Sequence, residues 1–207
     1  MDAGRRLFAT EGYAGAGREA IVAAAGVTRG ALQHHFGDKL GLFRAVYEEV
    51  EAEVVAATAT AATADGHEPP LQVLEAGCQA YLDAVLDPAV QRICALDGPA
   101  VLPAEVRQEI TERYALGLVR GVLAEAVERG DIEDVPVEPL ARALLAGVMA
   151  AAQHVATADD PPAARLEAGK TVEVLLAGLS RGPRAKGGSH RGLRPPSTAR
   201  RRMRDRP

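Results

Sequence analysis

Residues 18–36, REAIVAAAGVTRGALQHHF, constrain this chain more than any other stretch. Arg18 to Ala25 is rich in helix-forming alanine and places Ile21 and Ala24 on one face. Gly26 then supplies the residue that most easily takes the left-handed conformation at a helix C-terminus. Val27 is expected to turn inward, and Thr28 to cap a second helix. In that helix Leu32 and Phe36 share the inward face, four residues apart. Arg29, Gly30, Gln33 and His34 point elsewhere. A short helix held by a tight turn, with donors on its outer face, is built to enter a major groove. The stretch reads as a DNA-binding helix-turn-helix.

The ordered set around it resembles the DNA-binding domain of the TetR family of bacterial transcriptional repressors. The resemblance runs from Ala3 to Val50 and rests on Arg6-Leu7-Phe8-Ala9, Gly12-Tyr13 and Ile21-Val22-Ala23-Ala24-Ala25-Gly26-Val27. It continues through Thr28-Arg29-Gly30-Ala31-Leu32, His34-His35-Phe36, Lys39 and Leu42-Phe43. It implies an all-α homodimer with a three-helix reading head and a larger helical body that binds an effector and dimerises. The expected organisation is a head over 1–47, a body over 48–180 and a basic tail over 181–207.

Three positions depart from the family pattern. Ala16 and Gly17 stand where Thr and Ser usually open the second helix, so that start lacks a side-chain cap worth about 1 kcal/mol. Gln33 replaces a Tyr whose hydroxyl often contacts phosphate, and its amide can still donate. Ala3 to Thr10 leaves a short first helix, and Asp2-Ala3-Gly4-Arg5-Arg6 reads like the middle of one. The expected start of that helix therefore lies upstream of Met1.

Charge is strongly segregated behind the net value of −4. The head carries +2, residues 48–180 carry −15 and the tail +9. An acidic body is repelled by phosphate, which orients the head toward DNA. Trp is absent and aromatics make up 3% of the chain, which suits packed helices better than a sandwich or barrel. With no signal peptide and no long apolar run, the chain is expected to be cytoplasmic, with no membrane partner. Cys78 and Cys94 form no metal or redox spacing and read as reduced core residues.

Apolar periodicity gives the body a connector helix from Lys39 to about Thr63, then helices over 71–86 and from Asp87-Pro88 to Cys94. The latter is expected to break at Gly98-Pro99. A long helix over 103–129 and a final pair over 139–158 and 163–179 follow. That final pair is rich in aliphatic and small residues, which fits either a monomer core or a two-fold four-helix interface. The resemblance favours the interface, with Leu140, Leu144, Leu145, Val148, Ala152, Val172, Leu175, Leu176 and Leu179 as its expected members. Tyr81-Leu82-Asp83, Asp87-Pro88 and Leu96-Asp97-Gly98-Pro99-Ala100-Val101-Leu102 also resemble the body of one TetR subgroup, which names no ligand. The tail is rich in Gly, Pro, Ser and Arg and is expected to be disordered, either passive or a sequence-blind DNA contact.

By type, Arg29 is the candidate for a bidentate guanine contact. Thr28, Gln33, His34 and Lys39 are phosphate candidates. Gly30 and Ala31 either approach the bases or act as spacers, and His35 is either packed or a phosphate ligand. The resemblance implies an effector cavity between the connector and the helices over 71–129. Its expected lining is Cys78, Leu82, Leu96, Tyr114, Leu118, Gln153 and His154, an apolar set suited to a hydrophobic or amphipathic small molecule. Adjacent His34 and His35 diverge by about 100° and lack further ligands, so no metal is expected. Gly12, Gly15 and Gly17 follow no strand and form no dinucleotide fingerprint, so no cofactor is expected. With no nucleophile–base–acid set, the chain reads as a ligand-responsive repressor on a two-fold operator and not as an enzyme. The alternative is a helical interaction module that has lost specific DNA binding.

Overall fold

A break at Gly12 shapes the N-terminal end of the molecule. Helix α1 (Asp2–Gly15) is interrupted there by φ 70° and ψ 173°, a conformation essentially confined to glycine. The turn carries Tyr13 back over the core, where its ring packs edge-on against Phe43 at 5.0 Å. Phe8 meets the same Phe43 at 5.1 Å, and both phenylalanines are fully buried. These contacts support an α1 that is longer than its sequence periodicity suggests.

The computed structural model describes residues 1–63, 66 and 68–180, so the basic segment 181–207 lies outside the described residues. Helix α2 (Arg18–Ala25) starts at Gly17 without a side-chain cap and ends on Gly26 at φ 64°. Helix α3 (Arg29–Phe36) is capped by Thr28, whose Oγ1 accepts from the Ala31 amide at 3.1 Å. Two details of the pair differ from the periodicity. Ile21 is buried beside half-buried Val22 while Ala24 faces solvent, and Val27 is 43% exposed. The left-handed turn at Gly26 leaves Val27 facing outward.

Helix α4 (Lys39–Ala62) begins at Asp38, whose carboxylate caps the Gly41 amide at 2.8 Å. It belongs to head and body alike. One apolar cluster joins Phe8, Ile21, Leu32 and Phe43 of the head to Val50, Val54, Ile93 and Ile110. Helix α5 (Pro70–Ala84) packs on α4. Helix α6 spans 88–101 and α7 spans 104–129; helices α8 (Val137–Thr157) and α9 (Pro161–Leu179) complete the body. A second cluster, centred on Leu82, Leu123, Ala126, Ala141 and Val155, fills the space between α5, α7, α8 and α9.

Helix α6 does not break at Gly98-Pro99. It passes through a π-helical stretch, Gln91–Asp97, and continues to Val101. Proline is tolerated in the first turn after the π segment, where its missing N–H and fixed φ cost least. Gly98 is also the point of closest approach to α4, because a Cβ there would lie 2.5 Å from the Tyr47 ring. A second π turn, Glu112–Leu116, interrupts α7. Such turns are rare and concentrate at functional sites.

Within the single chain, most of the expected interface residues of the final pair turn inward. Val148, Ala152, Val172 and Leu176 are buried within the single chain, and Leu140 and Leu179 are half-buried. Leu144 and Leu145 turn toward the interior of the body. The outward face of α8 is instead Ala143, Ala146, Gly147 and Ala150, with Gln153 and His154 near its end. On α9 the exposed apolar residues are Leu166, Val174 and Leu175, so Leu175 alone of the expected set faces out. Among the described residues α8 is long and apolar enough to cross a membrane, which the sequence reading did not expect. Its inner half packs against α5, α7 and α9, and its outer half is the small-residue face just described.

Candidate DNA-reading face and effector cavity

Helix α3 stands on Leu32 and Phe36 and presents the rest of its length outward. Thr28, Arg29, Gly30, Gln33, His34 and His35 are exposed, whereas Ala31 is half-buried beside Leu32. Arg29 reaches back to α2 and pairs with Glu19, both side chains remaining largely in solvent. Lys39, at the start of α4, holds its ammonium 4.4 Å over the Tyr13 ring. That cation–π contact fixes Lys39 beside α3 while leaving its charge half exposed. The structure thus brings Thr28, Arg29, Gly30, Gln33 and His34 onto one surface, with Lys39 at its edge and Ala31 at its base. His34 and His35 lie ring-edge to ring at 5.4 Å, and no cluster of ligating residues surrounds them among the described residues.

A second site lies inside the body. Helices α4, α5, α7 and α8 enclose a cavity of about 200 Å³. Its walls are mainly Val55, Leu74, Val119, Val122, Leu145 and Met149. Cys78, Tyr114 and Leu118 line it, as the sequence suggests. Leu82 and Leu96 do not. Leu82 is fully buried in the core and Leu96 packs against the same cluster. Gln153 and His154 face solvent on the opposite side of α8. Leu144, Leu145 and Val148, expected at a dimer interface, line the cavity instead.

The polar groups of the cavity are mostly turned away or satisfied. Thr58 donates to the Val55 carbonyl at 2.9 Å, and Thr111 to the Arg107 carbonyl at 3.1 Å. Tyr114, in the π turn of α7, donates its hydroxyl to Glu48 at 3.0 Å. Glu48 also pairs with Arg113, tying α7 to α4. Burial raises the Cys78 thiol to about 11, with Glu75 adding to the shift, so it remains a neutral thiol at physiological pH. Glu51 is different. It is a buried carboxylate on the cavity wall, and desolvation raises its pKa against the lowering effect of hydrogen bonds from Cys94 and Tyr47.

Cys94 belongs to α6, which links cavity and head. Three residues further on, the Asp97 carboxylate accepts from the Tyr13 amide at 2.6 Å. Arg92 donates to the same carboxylate at 3.2 Å, and its guanidinium occupies the space where a Cβ on Gly12 would lie. Helix α6 therefore packs on α4 beside the cavity wall at Cys94 and holds Tyr13, the ring under Lys39, through Asp97.

Sequence reasoning missed Glu51, Glu19 and the Arg92–Asp97 anchor. Glu51 had a legible signal, since it falls on the buried stripe of α4 formed by Tyr47, Val50 and Val54, where an acid is out of place. Glu19 and the anchor had none, because their partners are distant in sequence or lie across a turn.

Residues 1–46 match the family described as bacterial regulatory proteins, tetR family. Residues 71–179 match the tetracyclin repressor-like C-terminal domain. The HTH-type transcriptional repressor AcnR of Corynebacterium glutamicum is 44% identical over 54 residues, which span 26% of this chain and 29% of that protein. The crystal structure of a TetR-family transcriptional regulator from Pectobacterium atrosepticum is 30% identical, with a TM-score of 0.76. That match covers 88% of this chain and 93% of the other. FadR from Bacillus subtilis, crystallised in complex with stearoyl-CoA, has the same fold at 18% identity and a TM-score of 0.67, with 86% and 96% covered. Head and body are each matched, and the chain belongs to the TetR family of bacterial transcriptional regulators.

Proposed function

We propose that the protein is a homodimeric, ligand-responsive repressor that reads a two-fold symmetric operator with α3 and is released by a small molecule bound in the body. The observation that carries this reading is the place of α6, which packs on α4 beside the cavity and holds Tyr13 of the head through Asp97, next to Lys39. It joins an internal cavity to the reading surface, as a regulator requires and an inert module does not. The match to FadR, a protein crystallised with stearoyl-CoA, supports a small-molecule role for the body. Its cytoplasmic, nucleoid-associated location follows from the DNA it is proposed to bind.

In this reading Arg29 leaves Glu19 to contact a guanine in the major groove, while Thr28, Gln33, His34 and Lys39 take phosphates. Arg29→Ala should relax preference at one base pair per half-site, at a cost of about 1–3 kcal/mol. Lys39→Ala should weaken all sequences alike and reduce the salt slope by about one per subunit. Operator and scrambled DNA titrated across a salt series check this division, and identical behaviour of the two variants would refute it.

The effector acts by favouring an arrangement of α6 that carries the two heads out of register with adjacent major grooves. Only a difference in its affinity for the two arrangements can shift the balance. Linkage then requires operator DNA to weaken effector binding by the same factor that effector weakens operator binding. Titrating a bound small molecule with and without operator measures both factors. Equal affinities would remove that molecule as an inducer.

A further inference from the structure

The cavity wall holds one ionisable acid and, among the described residues, no Lys, Arg or His. Glu51 is buried there among apolar side chains, and no basic side chain pairs with it among the described residues. Its hydrogen bonds come from neutral donors, Tyr47 on its own helix and Cys94 on α6. The other titratable groups around it leave it equally uncompensated. From α5, Tyr81 is half-buried on the cavity wall and neutral. From α7, Arg107 acts on Tyr47, and Arg5 of α1 acts on Cys94 while pairing with Glu53. Helix α8 contributes aliphatic residues and Met149 to the wall.

A buried carboxyl is costly to ionise without a cation, and a cation docked against it lowers that cost. An anionic headgroup would meet the opposite situation, a wall with a carboxyl and no base. We infer that the cavity takes a cationic amphiphile, an apolar small molecule carrying one protonated amine, with the ammonium hydrogen-bonded to Glu51 and the apolar part against Val55, Val119 and Leu145. This inference rests on the body cavity being an effector site, as proposed above, and adds the chemical class of its occupant. It also places the ligand's charge beside Cys94 of α6, the helix that holds Tyr13 of the head.

Burial favours the protonated form of Glu51 in the empty cavity. An ammonium prefers the ionised form, so docking expels the proton. An aliphatic amine, with a pKa near ~10.4 like that of lysine, stays charged across pH 5–8. Affinity for it should therefore rise with pH through the range in which Glu51 of the empty cavity loses its proton.

The test uses the full chain and three eight-carbon probes, n-octylamine, 1-octanol and octanoate, titrated calorimetrically into wild type and Glu51→Gln. Gln keeps the side-chain shape and an acceptor for Tyr47 and Cys94, and thermal melting together with 1-octanol binding reports whether the cavity survives. Wild type is expected to prefer octylamine to octanol by about tenfold or more and to bind octanoate least. Glu51→Gln should lose that preference while retaining octanol. Octylamine affinity should rise with pH in wild type and stay flat in the variant. If octanol binds but the amine is not preferred, or if Glu51→Gln keeps the preference, the cavity remains an effector site and the cationic class is overturned. If none of the three binds wild type, the effector cavity itself fails, and the inference with it.

Discussion

Replacing Val174 with Glu should convert the proposed dimer into folded monomers and lower operator affinity by about 10²- to 10⁴-fold, the range lost when two linked binding heads become separate. Val174 is 72% exposed on α9, and Leu166 and Leu175 are exposed on the same helix. Beside them, α8 offers Ala143, Ala146, Gly147 and Ala150, small residues that let a partner's helices approach closely. An open apolar face of two long helices fits a two-fold four-helix interface, where each residue meets its own copy or a close neighbour. Two glutamates brought together there would lose hydration and repel one another, whereas in the monomer the same side chain stands in water and leaves the core intact. Light scattering at micromolar concentration checks the oligomeric state, and circular dichroism checks the fold. A Val174→Glu chain that remains dimeric, or a wild type that is monomeric, would remove this face as the interface. Leu144→Asp should behave differently. It places the charge in the cavity wall and should damage folding or small-molecule binding before it affects association.

Two glycines of the head should respond in opposite ways to alanine. At Gly41 a Cβ would lie 1.9 Å from the Phe36 carbonyl oxygen, so the turn from α3 into α4 closes only because that side chain is absent. Backbone has to move to admit the methyl. Gly41→Ala should therefore destabilise the head by about 3 kcal/mol, the upper part of the range for overpacking, and abolish measurable operator binding. At Gly30 the nearest neighbour of an added Cβ is the Thr28 hydroxyl at 3.8 Å, an ordinary contact. Gly30→Ala should raise head stability by about 0.5–1 kcal/mol through helix propensity. If Gly30 is where α3 approaches the bases, the same change should weaken operator binding. Thermal melts and operator titrations of the two variants separate stability from contact. A Gly41→Ala protein as stable as wild type would refute the close turn, and undiminished binding by Gly30→Ala would make Gly30 a spacer.

The sequence was most informative where one residue type answers one local requirement. Gly26 and Thr28 fix the end of α2 and the start of α3, and Leu32 fixes the face on which α3 rests. It was least informative in α8 and α9, where apolar residues occupy exposed as well as buried positions. A helix buried on two sides shows no polar stripe, so periodicity cannot say which apolar face meets its own chain and which is left for a partner. The larger aliphatics Leu144, Leu145 and Val148 were therefore assigned outward, although the outer face belongs to Ala and Gly. Helix α6 was misjudged at Gly98-Pro99 for a related reason. Gly and Pro ordinarily end helices, but the π stretch ahead of them re-routes the hydrogen bonds and carries the helix on. The cavity residues depend on how four helices meet. Glu51 carries a local signal of its own, as an acid on an apolar stripe.

If Arg29 reads a guanine as proposed, its pair with Glu19 has a kinetic consequence for the search for an operator. On random DNA, phosphates still attract the head, but Arg29 keeps an internal partner and gains nothing from a wrong base. The nearby Glu19 carboxylate and the acidic body further weaken attachment to non-cognate sequence. Pairs this exposed are worth no more than about 1 kcal/mol, which sets their effect at a factor of about five at most. That factor applies at every non-cognate site and is offset only where a guanine replaces Glu19 as the partner of Arg29. The ion pair thus shortens each unproductive visit along the chromosome and leaves a larger share of molecules free to reach the operator.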